Sequence, residues 1–133
     1  MNFISDMLIR IKNGSKAKRK QIILHPLSSK TCYRILEILR DEGYIWGFEV
    51  KYNFDTKRYE IVVFLKYNSI GVPVIQEISI ISKFSRRFFC NTKSLWKAKS
   101  NMGISILSTP KGILTDRDAR LLNTGGEVIC YIS

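Results

Sequence analysis

The sequence predicts an α/β protein of two small domains: an N-terminal α-β-α-β-β unit at residues 1–68 and a mostly β C-terminal domain with one short helix at residues 69–133. Apolar residues recur at helical spacing in the first part of the chain and at alternate positions from Ile45 onward. Asn, Ser, Gly and Pro cluster at 68–73, which is typical of a domain boundary. With 133 residues and 45% hydrophobic content, the chain can form a packed core.

The first domain begins with an amphipathic helix and a short strand. Apolar side chains at i, i+3, i+4 and i+7 place the helix at about Ser5 to Asn13, and Asn13-Gly14 is expected to end it. Gln21 to Leu24 is predicted to form a strand that stops at His25-Pro26.

A second helix and a β-hairpin complete the first domain. Ser28 or Ser29 is expected to cap the helix, and Gly43 is expected as its C′ residue. From Ile45 the apolar period changes to two, and a turn at Asn53 to Lys57 separates two strands. The residues predicted to form the apolar face of the helix are Cys32, Ile35, Leu36 and Leu39. The residues predicted to share one face of the first hairpin strand are Trp46, Phe48, Val50 and Tyr52.

The chain is basic along its whole length. It has 22 Lys and Arg against 11 Asp and Glu, a formal net charge of +11. Residues 1–68 carry +6 and residues 69–133 carry +5, which excludes a neutral domain with a basic tail. A small protein this basic typically binds a polyanion, most often nucleic acid. One cluster of cations could be a solvated loop or could contact phosphate groups. The high net charge of the chain favours the phosphate contact. The cluster comprises Lys16, Lys18, Arg19 and Lys20.

The second domain is predicted to open with a strand from Val74 to Ile81, followed by a basic stretch. Between Lys83 and Lys99 there is no acidic residue, and cations alternate with aromatic rings. Such a pattern suits a surface that contacts phosphates and stacks on bases. In the alternative interpretation, Phe88 and Phe89 are strand residues and at least one of them lies in the core.

The last part of the chain is predicted as strand, polar loop, short helix, glycine turn and strand. The strand is Gly103 to Leu107, and the polar loop is Ser108 to Leu114. Thr115 followed by Asp118 is a capping-box pattern, and Gly125-Gly126 is expected to end the helix. A loop that leads into a helix N-terminus suits a phosphate, but the same residues are equally consistent with an ordinary turn.

Enzymatic chemistry is disfavoured by the residues that the sequence lacks. The scattered positions of Cys32, Cys90 and Cys130 argue against a disulfide framework or a zinc site and favour buried free thiols. The single histidine, His25, belongs to no catalytic arrangement, and no P-loop spacing is present. We therefore expect no catalytic residue, no metal and no cofactor. No apolar run approaches the roughly 20 residues of a membrane span, so no membrane partner is expected.

Five motifs are spread along the chain from Ser5 to Tyr131. Ser5 to Gly14 is similar to Ala-Asp-Met-Leu-Thr-Arg-Ile-Arg-Asn-Gly, and Asp41 to Ile45 is similar to Glu-Glu-Gly-Phe/Tyr-Ile. Gly103 to Gly112 follows Gly-Ile-x-Ile-Leu-Ser-Thr-x-Lys-Gly. Two further motifs follow Gly112: Thr-Asp-Arg-x-Ala-Arg and then Gly-Gly-Glu-Val-x-Cys-Tyr. Together these motifs resemble the small-ribosomal-subunit protein eight family in its bacterial and organellar form.

The resemblance implies a structural protein of the small ribosomal subunit that supports assembly and translation. Its C-terminal domain would grip an irregular helix in the central domain of the small-subunit rRNA, and its N-terminal domain would touch other rRNA segments. The implied protein neighbours are small-subunit proteins five and twelve, and no homo-oligomer is expected. By position, the implied C-terminal contacts are Ser108, Thr109, Lys111, Gly112, Arg87, Phe89, Gly125, Gly126 and Glu127. The implied N-terminal contacts are Lys12, Lys16, Lys18, Arg19 and Lys20.

Several positions depart from the pattern of that family. Pro110 replaces the second loop serine, which removes one hydroxyl and one N–H donor. Phe89 replaces a tyrosine, so its ring can stack but cannot donate a hydrogen bond. Phe84-Ser85 and Asn101-Met102-Gly103 replace Pro-Gly and Gly-Leu-Gly. The remaining loop side chains are therefore expected to carry more of the recognition.

The composition indicates the compartment. Ile, Lys, Asn, Phe and Tyr make up 52 of 133 residues and only three are Ala, a bias that fits an AT-rich coding genome. With the motif changes and no targeting extension, this predicts a mitochondrial protein, with the chloroplast or a bacterial cytoplasm as alternatives.

A second function class also fits the sequence. A stand-alone protein that binds single-stranded RNA or DNA would use Phe88, Phe89 and Trp96 as stacking platforms.

Overall fold

A computed structural model describes residues 3–25, 30–82, 89–90 and 103–133. It contains helices and antiparallel sheets, which confirms the predicted α/β class. The chain divides into two compact units, Met1–Ile75 and Gln76–Ser133. The domain assignment 1–68 and 69–133 stays a prediction. The elements of the first unit are α1 (Phe3–Lys16), β1 (Gln21–Leu24), α2 (Lys30–Asp41), β2 (Ile45–Asn53) and β3 (Arg58–Leu65). Those of the second are β4 (Ile78–Ile80), β5 (Phe89–Cys90), β6 (Ile104–Thr109), β7 (Gly112–Thr115), α3 (Asp116–Leu121) and β8 (Gly126–Ile132).

The first unit packs two helices against a three-stranded antiparallel sheet of order β1-β3-β2. Ile61 and Val63 on the central strand β3 are fully buried. Burying one such side chain stabilises the fold by roughly 1.5–3 kcal/mol. The predicted apolar face of α2 is confirmed, because all four of its residues are buried. The buried helix side chains are Met7, Leu8, Ile11, Cys32, Ile35, Leu36, Ile38 and Leu39.

Helix α1 continues past Asn13-Gly14, where the sequence predicted its end. A Cβ atom on Gly14 would stand 2.5 Å from Cγ2 of Ile22 and 3.2 Å from Cδ1 of Leu65. The glycine therefore allows the helix to approach the sheet closely. The prediction was wrong because glycine can serve packing as well as helix termination.

The first two helices end in Schellman motifs. After α1, Lys18 adopts a left-handed φ of 56°, and the N–H of Arg19 donates to the carbonyl of Gly14 at 3.0 Å. After α2, Gly43 has a φ of 81°, which confirms it as the predicted C′ residue. Glycine takes this conformation without steric cost, whereas lysine does not.

The third helix begins as predicted but ends at a different residue. The hydroxyl of Thr115 accepts a hydrogen bond from the N–H of Asp118 at 3.2 Å, so Thr115 is the N-cap. Asn123 has a φ of 51°, and the N–H of the next residue donates to the carbonyl of Ala119 at 2.9 Å. Asn123 thus closes a third Schellman motif. The prediction that Gly125-Gly126 ends this helix was wrong, because Gly126 already belongs to β8.

A bulge in β2 changes which side chains are buried. The pairing of β2 with β3 shifts register between Ile45 and Gly47. Ile45 is consequently buried, whereas Trp46 is exposed. The prediction that Trp46 shares a face with Phe48 was wrong, because one extra residue reverses the alternation.

The predicted strand from Val74 to Ile81 is shorter in the structure. The N–H of Val74 donates to the carbonyl of Lys66, and the N–H groups of Gln76 and Glu77 both donate to the carbonyl of Ser133. Two neighbouring donors that share one acceptor do not continue a regular ladder. Only β4 remains as strand.

The second unit is built on an antiparallel sheet of order β4-β8-β6-β7, with β5 also paired to β8. Strand β8 therefore pairs on both of its edges. Leu107 and Ala119 are fully buried and pack with Leu114 and Val128. This cluster anchors α3 on the sheet.

Candidate nucleic-acid interface

One row across the second sheet brings together three of the expected RNA-binding residues. Glu127 on β8 lies directly opposite Ser108 on β6 and directly opposite Phe89 on β5. Side chains at opposite positions of antiparallel strands share a face, with Cβ atoms about 4.5–5.5 Å apart. Ser108 is exposed, Phe89 is 74% exposed and Glu127 is half-buried. We call these three residues the cross-strand row.

The predicted polar loop Ser108–Leu114 is a β-hairpin. Ser108 and Thr109 end β6, and Gly112 starts β7, so Pro110-Lys111 forms a two-residue turn. Gly112 has a φ of 115°, a conformation that strains any residue with a Cβ atom. The loop prediction was wrong because hydroxyl residues, proline and glycine occur in open loops and in tight hairpins alike.

The hydroxyl of Thr109 is engaged within this hairpin. It accepts a hydrogen bond from the N–H of Lys111 at 3.1 Å and donates to the carbonyl of Gly112 at 2.8 Å. Because its proton is used, Thr109 can only accept a further hydrogen bond. The Ser108 hydroxyl makes no hydrogen bond to any residue within the described ranges, so its donor and acceptor are both available there. Ser108 is the better suited of the two for direct contact with a ligand.

Lys111 connects the hairpin turn to the end of α3. Its ammonium Nζ donates to the carbonyl of Leu122, the C-cap residue, at 2.9 Å. The positive charge complements the negative end of the helix dipole. An ammonium has three N–H donors, so two are not used by this bond. Lys111 therefore holds the turn in place and still presents charge.

Gly126 sets the spacing between the two strands that carry Ser108 and Glu127. A Cβ atom at Gly126 would stand 2.1 Å from the Ser108 carbonyl oxygen and 3.0 Å from Cα of Thr109. Only glycine permits this approach of two backbones. Gly125, the preceding residue, is half-buried.

The hairpin turn and the N-terminus of α3 are separate features. Strand β7 lies between them, and the first turn of α3 carries Asp116 and Asp118. These carboxylates repel a phosphate at that helix end. The hypothesis of a phosphate bound where a loop meets the helix has therefore lost its structural basis.

The N-terminal basic cluster lies at the end of α1 and in the connection to β1. The hydroxyl of Tyr67 donates to the carbonyl of Arg19, and the N–H of Leu65 donates to the carbonyl of Lys20 at 3.0 Å. Burial raises the pKa of the Tyr67 hydroxyl, which keeps it protonated as a donor. The cations therefore project from a backbone that is fixed to the sheet. The exposed cations are Lys16, Lys18, Arg19 and Lys20.

An open groove of about 660 Å³ lies beside this cluster, between α1 and β1. Arg10 and Arg19 both line it, whereas Lys12 does not. The sequence analysis missed Arg10. Its spacing from Asn13 and Gly14 (i, i+3, i+4) places all three on one face of α1, and this pattern could have identified it.

Other expected contacts lie outside the described residues. Arg87, Phe88 and Trp96 fall within 83–88 and 91–102, together with most of the acid-free basic stretch. Phe89 is described as a strand residue, and its exposure shows that it is not in the core.

Comparison with known proteins supplies the family. A model of the family described as Ribosomal protein S8 matches residues 2–133. The chain belongs to this ribosomal protein family. It is 43% identical over 129 residues to the small ribosomal subunit protein uS8 of Agrobacterium fabrum. The aligned residues cover 97% of this chain and 95% of the relative. The proteins of the same name from Brucella ovis and Rhizobium leguminosarum bv. trifolii match with the same identity and coverage.

Membership of the ribosomal protein S8 family confirms the resemblance drawn from the five motifs. The three relatives are bacterial proteins, which agrees with the bacterial alternative for the compartment and gives no direct support to the mitochondrial prediction.

The described residues of this ribosomal protein S8 family member include no group of three His, Cys, Asp or Glu that could hold a metal ion. Cys32 and Cys130 are buried free thiols, and burial raises the pKa of both, that of Cys130 to about 12. Among the described helices, none combines the length and apolar character needed to cross a bilayer.

Proposed function

We propose that this member of the ribosomal protein S8 family is a non-catalytic structural protein of the small ribosomal subunit. It binds small-subunit rRNA and supports subunit assembly and translation. The names of the relatives and the net charge of +11 support this assignment. The observation that carries it is the cross-strand row, where a hydroxyl, a carboxylate and an aromatic ring share one face.

The rRNA target proposed for this face is an irregular helix in the central domain of the small-subunit rRNA. An A-form helix exposes a shallow minor groove lined with 2′-hydroxyls and base edges. The short Ser108 side chain can approach such a surface, and its hydroxyl can donate and accept. Glu127 accepts hydrogen bonds from base amino groups or 2′-hydroxyls, and Phe89 stacks on an unpaired base.

Charge contributes to the binding in both units. Lys111 contacts phosphate beside the cross-strand row, and Gly112, Gly125 and Gly126 let the backbone approach the RNA. In the second unit, Arg87 adds a further cation. In the first unit, Arg10, Lys12 and the exposed cluster ending at Lys20 contact phosphates of other rRNA segments. These contacts are independent of sequence and weaken as salt rises.

The proposed surroundings follow the family. Small-subunit proteins five and twelve are the proposed neighbours, and the protein acts as a single copy. The proposed compartment is the mitochondrion, supported by the AT-biased composition. Mass spectrometry of purified mitochondrial ribosomes tests the assembly and the compartment together. Recovery only from chloroplast or bacterial ribosomes would correct the compartment and leave the ribosomal function in place.

Replacement of one hydroxyl tests the RNA-binding face. Ser108→Ala removes a donor that is free within the described ranges, and we expect affinity for the rRNA helix to fall by about 1–3 kcal/mol. Binding to random RNA should change much less, because it depends on charge. Ser105→Ala is the matched control, since Ser105 lies on the same strand but not in the row. Equal losses on both RNAs, or for both variants, would argue against a specific role of Ser108.

A further inference from the structure

The groove between α1 and β1 lies along the open edge of the first sheet. β1 is an edge strand in the order β1-β3-β2. The N–H of Leu65 donates to the carbonyl of Lys20, and in an antiparallel pair the bonded residues alternate along the strand. The backbone groups of Gln21 and Ile23 therefore point away from β3. The hydrogen bond from Nη1 of Arg10 to the carbonyl of Ile23, 3.3 Å long, agrees with this orientation.

Arg10 makes this edge unsuited to the addition of another β-strand. A strand that adds to an edge must donate hydrogen bonds to its outward carbonyl groups. Arg10 already donates to the carbonyl of Ile23 and so takes the place of one such donor. Charged side chains commonly protect the edges of sheets in this way. The outward N–H groups of Gln21 and Ile23 remain, and they suit a ligand that accepts hydrogen bonds.

The groove carries positive charge without acids to neutralise it. Arg10 and Arg19 line it, and none of the described residues that line it is acidic. Residues 10–20 include six cations, and no acidic residue occurs in the sequence between Asp6 and Glu37. A cleft lined by charge of one sign concentrates ligands of the opposite sign. The charge therefore favours an anion over a neutral ligand.

Arg19 has a fixed backbone and an available side chain. Its N–H donates to the carbonyl of Gly14 at 3.0 Å, and its carbonyl accepts a hydrogen bond from the hydroxyl of Tyr67. Within the described ranges its guanidinium forms no ion pair and no hydrogen bond. Arg10 uses one of its five N–H donors on the carbonyl of Ile23. Both guanidinium groups can therefore bind phosphate, for which their planar fork of donors is well suited.

Amide side chains and an apolar surface add chemistry that a phosphate alone does not use. Asn13 and Gln21 line the groove, and their side chains make no hydrogen bond in the part of the chain that the structure describes. An amide places a donor beside an acceptor, which matches the edge of a nucleobase. Ile23 is 47% exposed and offers apolar surface to a ring. The groove volume of about 660 Å³ is in the range of sites that hold one small ligand.

We propose that this groove binds one unpaired nucleotide of an RNA strand. Arg10 and Arg19 bind its phosphate together with the outward N–H groups of β1, and Asn13 and Gln21 contact the edge of its base. A paired base does not fit, because its Watson–Crick edge is already engaged. The inference rests on the proposed rRNA binding and specifies it: the first unit binds a looped-out nucleotide and not only phosphates.

The test measures binding of the full chain to fluorescently labelled single-stranded RNAs of about ten nucleotides, namely oligoadenylate, oligocytidylate and oligouridylate, at one fixed salt concentration. Arg19→Gln removes one guanidinium, and we expect affinity for the preferred RNA to fall about tenfold. Arg19→Lys keeps the charge without the fork and should recover only part of this loss. Arg19 is exposed and its backbone bonds are kept, so both variants should unfold in urea as the wild type does.

Lys57→Gln is the matched control for charge. Lys57 is an exposed cation of the same unit that does not line the groove. Its replacement removes the same unit of charge and should lower affinity about twofold at most. Asn13→Ala tests the contact with the base: it should reduce the preference of the protein among the three RNAs, whereas Lys57→Gln should leave that preference unchanged.

A second measurement locates the contact. The backbone N–H resonances of Gln21 and Ile23 should shift downfield when the preferred RNA is added, and a blunt duplex of equal length should shift them much less. Equal losses for Arg19→Gln and Lys57→Gln, with unshifted N–H resonances, would overturn the proposal. Equal shifts with the duplex would show a phosphate contact without an unpaired nucleotide and would also overturn it.

Two competitors test other occupants of the groove. Adenosine 5′-monophosphate that binds as tightly as the preferred RNA would assign the groove to a free nucleotide. An oligoglutamate peptide that displaces the RNA and shifts the same N–H resonances would assign it to an acidic protein segment. Either result overturns the proposal, and weak binding of both competitors supports it. The Ser108→Ala test of the rRNA-binding face is unaffected by any of these outcomes, because it measures the second unit.

Discussion

Gly126 and Ser108 are in backbone contact, since a Cβ atom on the glycine would stand 2.1 Å from the serine carbonyl oxygen. Strands β6 and β8 can keep their pairing at this point only without a side chain on Gly126. The contact lies directly beside the pair of Ser108 with Glu127. The geometry of the proposed RNA-binding face therefore requires glycine, a residue without a Cβ atom, at position 126.

We expect Gly126→Ala to destabilise the protein by about 1–3 kcal/mol, because the strands must separate to admit the methyl group. Specific binding to the rRNA helix should fall further than the loss of stability explains, because the row is displaced. Gly112→Ala is the comparison, since a Cβ atom there meets no atom within 4 Å and only the φ of 115° opposes it. Urea unfolding and RNA titration provide the measurements. Unchanged stability of Gly126→Ala would contradict the prediction.

A double-mutant cycle tests the packing of α1 on the sheet. Alanine has a higher helix propensity than glycine by about 1 kcal/mol, so Gly14→Ala would stabilise an isolated helix. In this protein we expect destabilisation, because the new Cβ atom would stand 2.5 Å from Cγ2 of Ile22. Ile22→Ala removes that atom, so the double variant should lose less stability than the sum of the single variants, by about 1 kcal/mol. If the losses of stability are strictly additive, the methyl group at position 14 does not clash with Ile22.

Lys18 is expected to lower the stability of the fold through its backbone conformation and to strengthen RNA binding through its charge. Its left-handed φ of 56° is unfavourable for lysine, so Lys18→Gly should stabilise the protein by about 1 kcal/mol. The same change should reduce the slope of log affinity against log salt on RNA by about 0.7–0.9, because one phosphate contact is lost. Lys18→Ala serves as the control: it should lower the slope equally without the gain in stability. An unchanged slope in both variants would remove Lys18 from the RNA contacts.

The thiol of Cys130 predicts a loss of stability at high pH. Its pKa is about 12 in the folded protein, against 9.0 for an ordinary cysteine, because burial disfavours the thiolate. Above pH 9 the unfolded chain releases this proton while the folded protein retains it. The contribution of this thiol to the free energy of unfolding is therefore fully present below pH 9. It declines by about 1.4 kcal/mol per pH unit towards pH 12.

Urea unfolding of wild type and Cys130→Ala measures this decline, because the variant lacks the titrating group and retains all others. The stability of the wild type should fall more steeply with pH than that of the variant. Iodoacetamide should also leave Cys130 unmodified in the folded protein and label it after denaturation. Parallel pH profiles, or rapid labelling of the folded state, would contradict the prediction.

Local patterns predicted the elements whose determinants are local. Strand β1 has the predicted bounds, and Gly43 and Thr115 occupy the predicted cap positions, because each depends on neighbouring residues. Gly14 and Trp46 were misassigned for the opposite reason. The role of Gly14 depends on Ile22 in another element, and the exposure of Trp46 depends on a shift in pairing with β3.

The candidate site follows the same division. The sequence motifs indicated Ser108, Glu127 and Phe89 as individual residues, but their alignment in one row depends on pairing among three strands. The engagement of the Thr109 hydroxyl also required the hairpin geometry, since an open loop would have left that proton available. Motifs therefore named members of the face, and strand register determined which of them share it.

The place of β8 in the second sheet constrains the order of events during synthesis. β8 is later in the chain than β4, β5 and β6, yet it pairs with all three. As the polypeptide emerges from the ribosome that makes it, the first unit already has all its strands while the second sheet still lacks its shared one. Until Gly126–Ile132 has been translated, the edges of β4 and β6 that pair with β8 lack this strand, and the nascent chain must remain protected from aggregation through that interval.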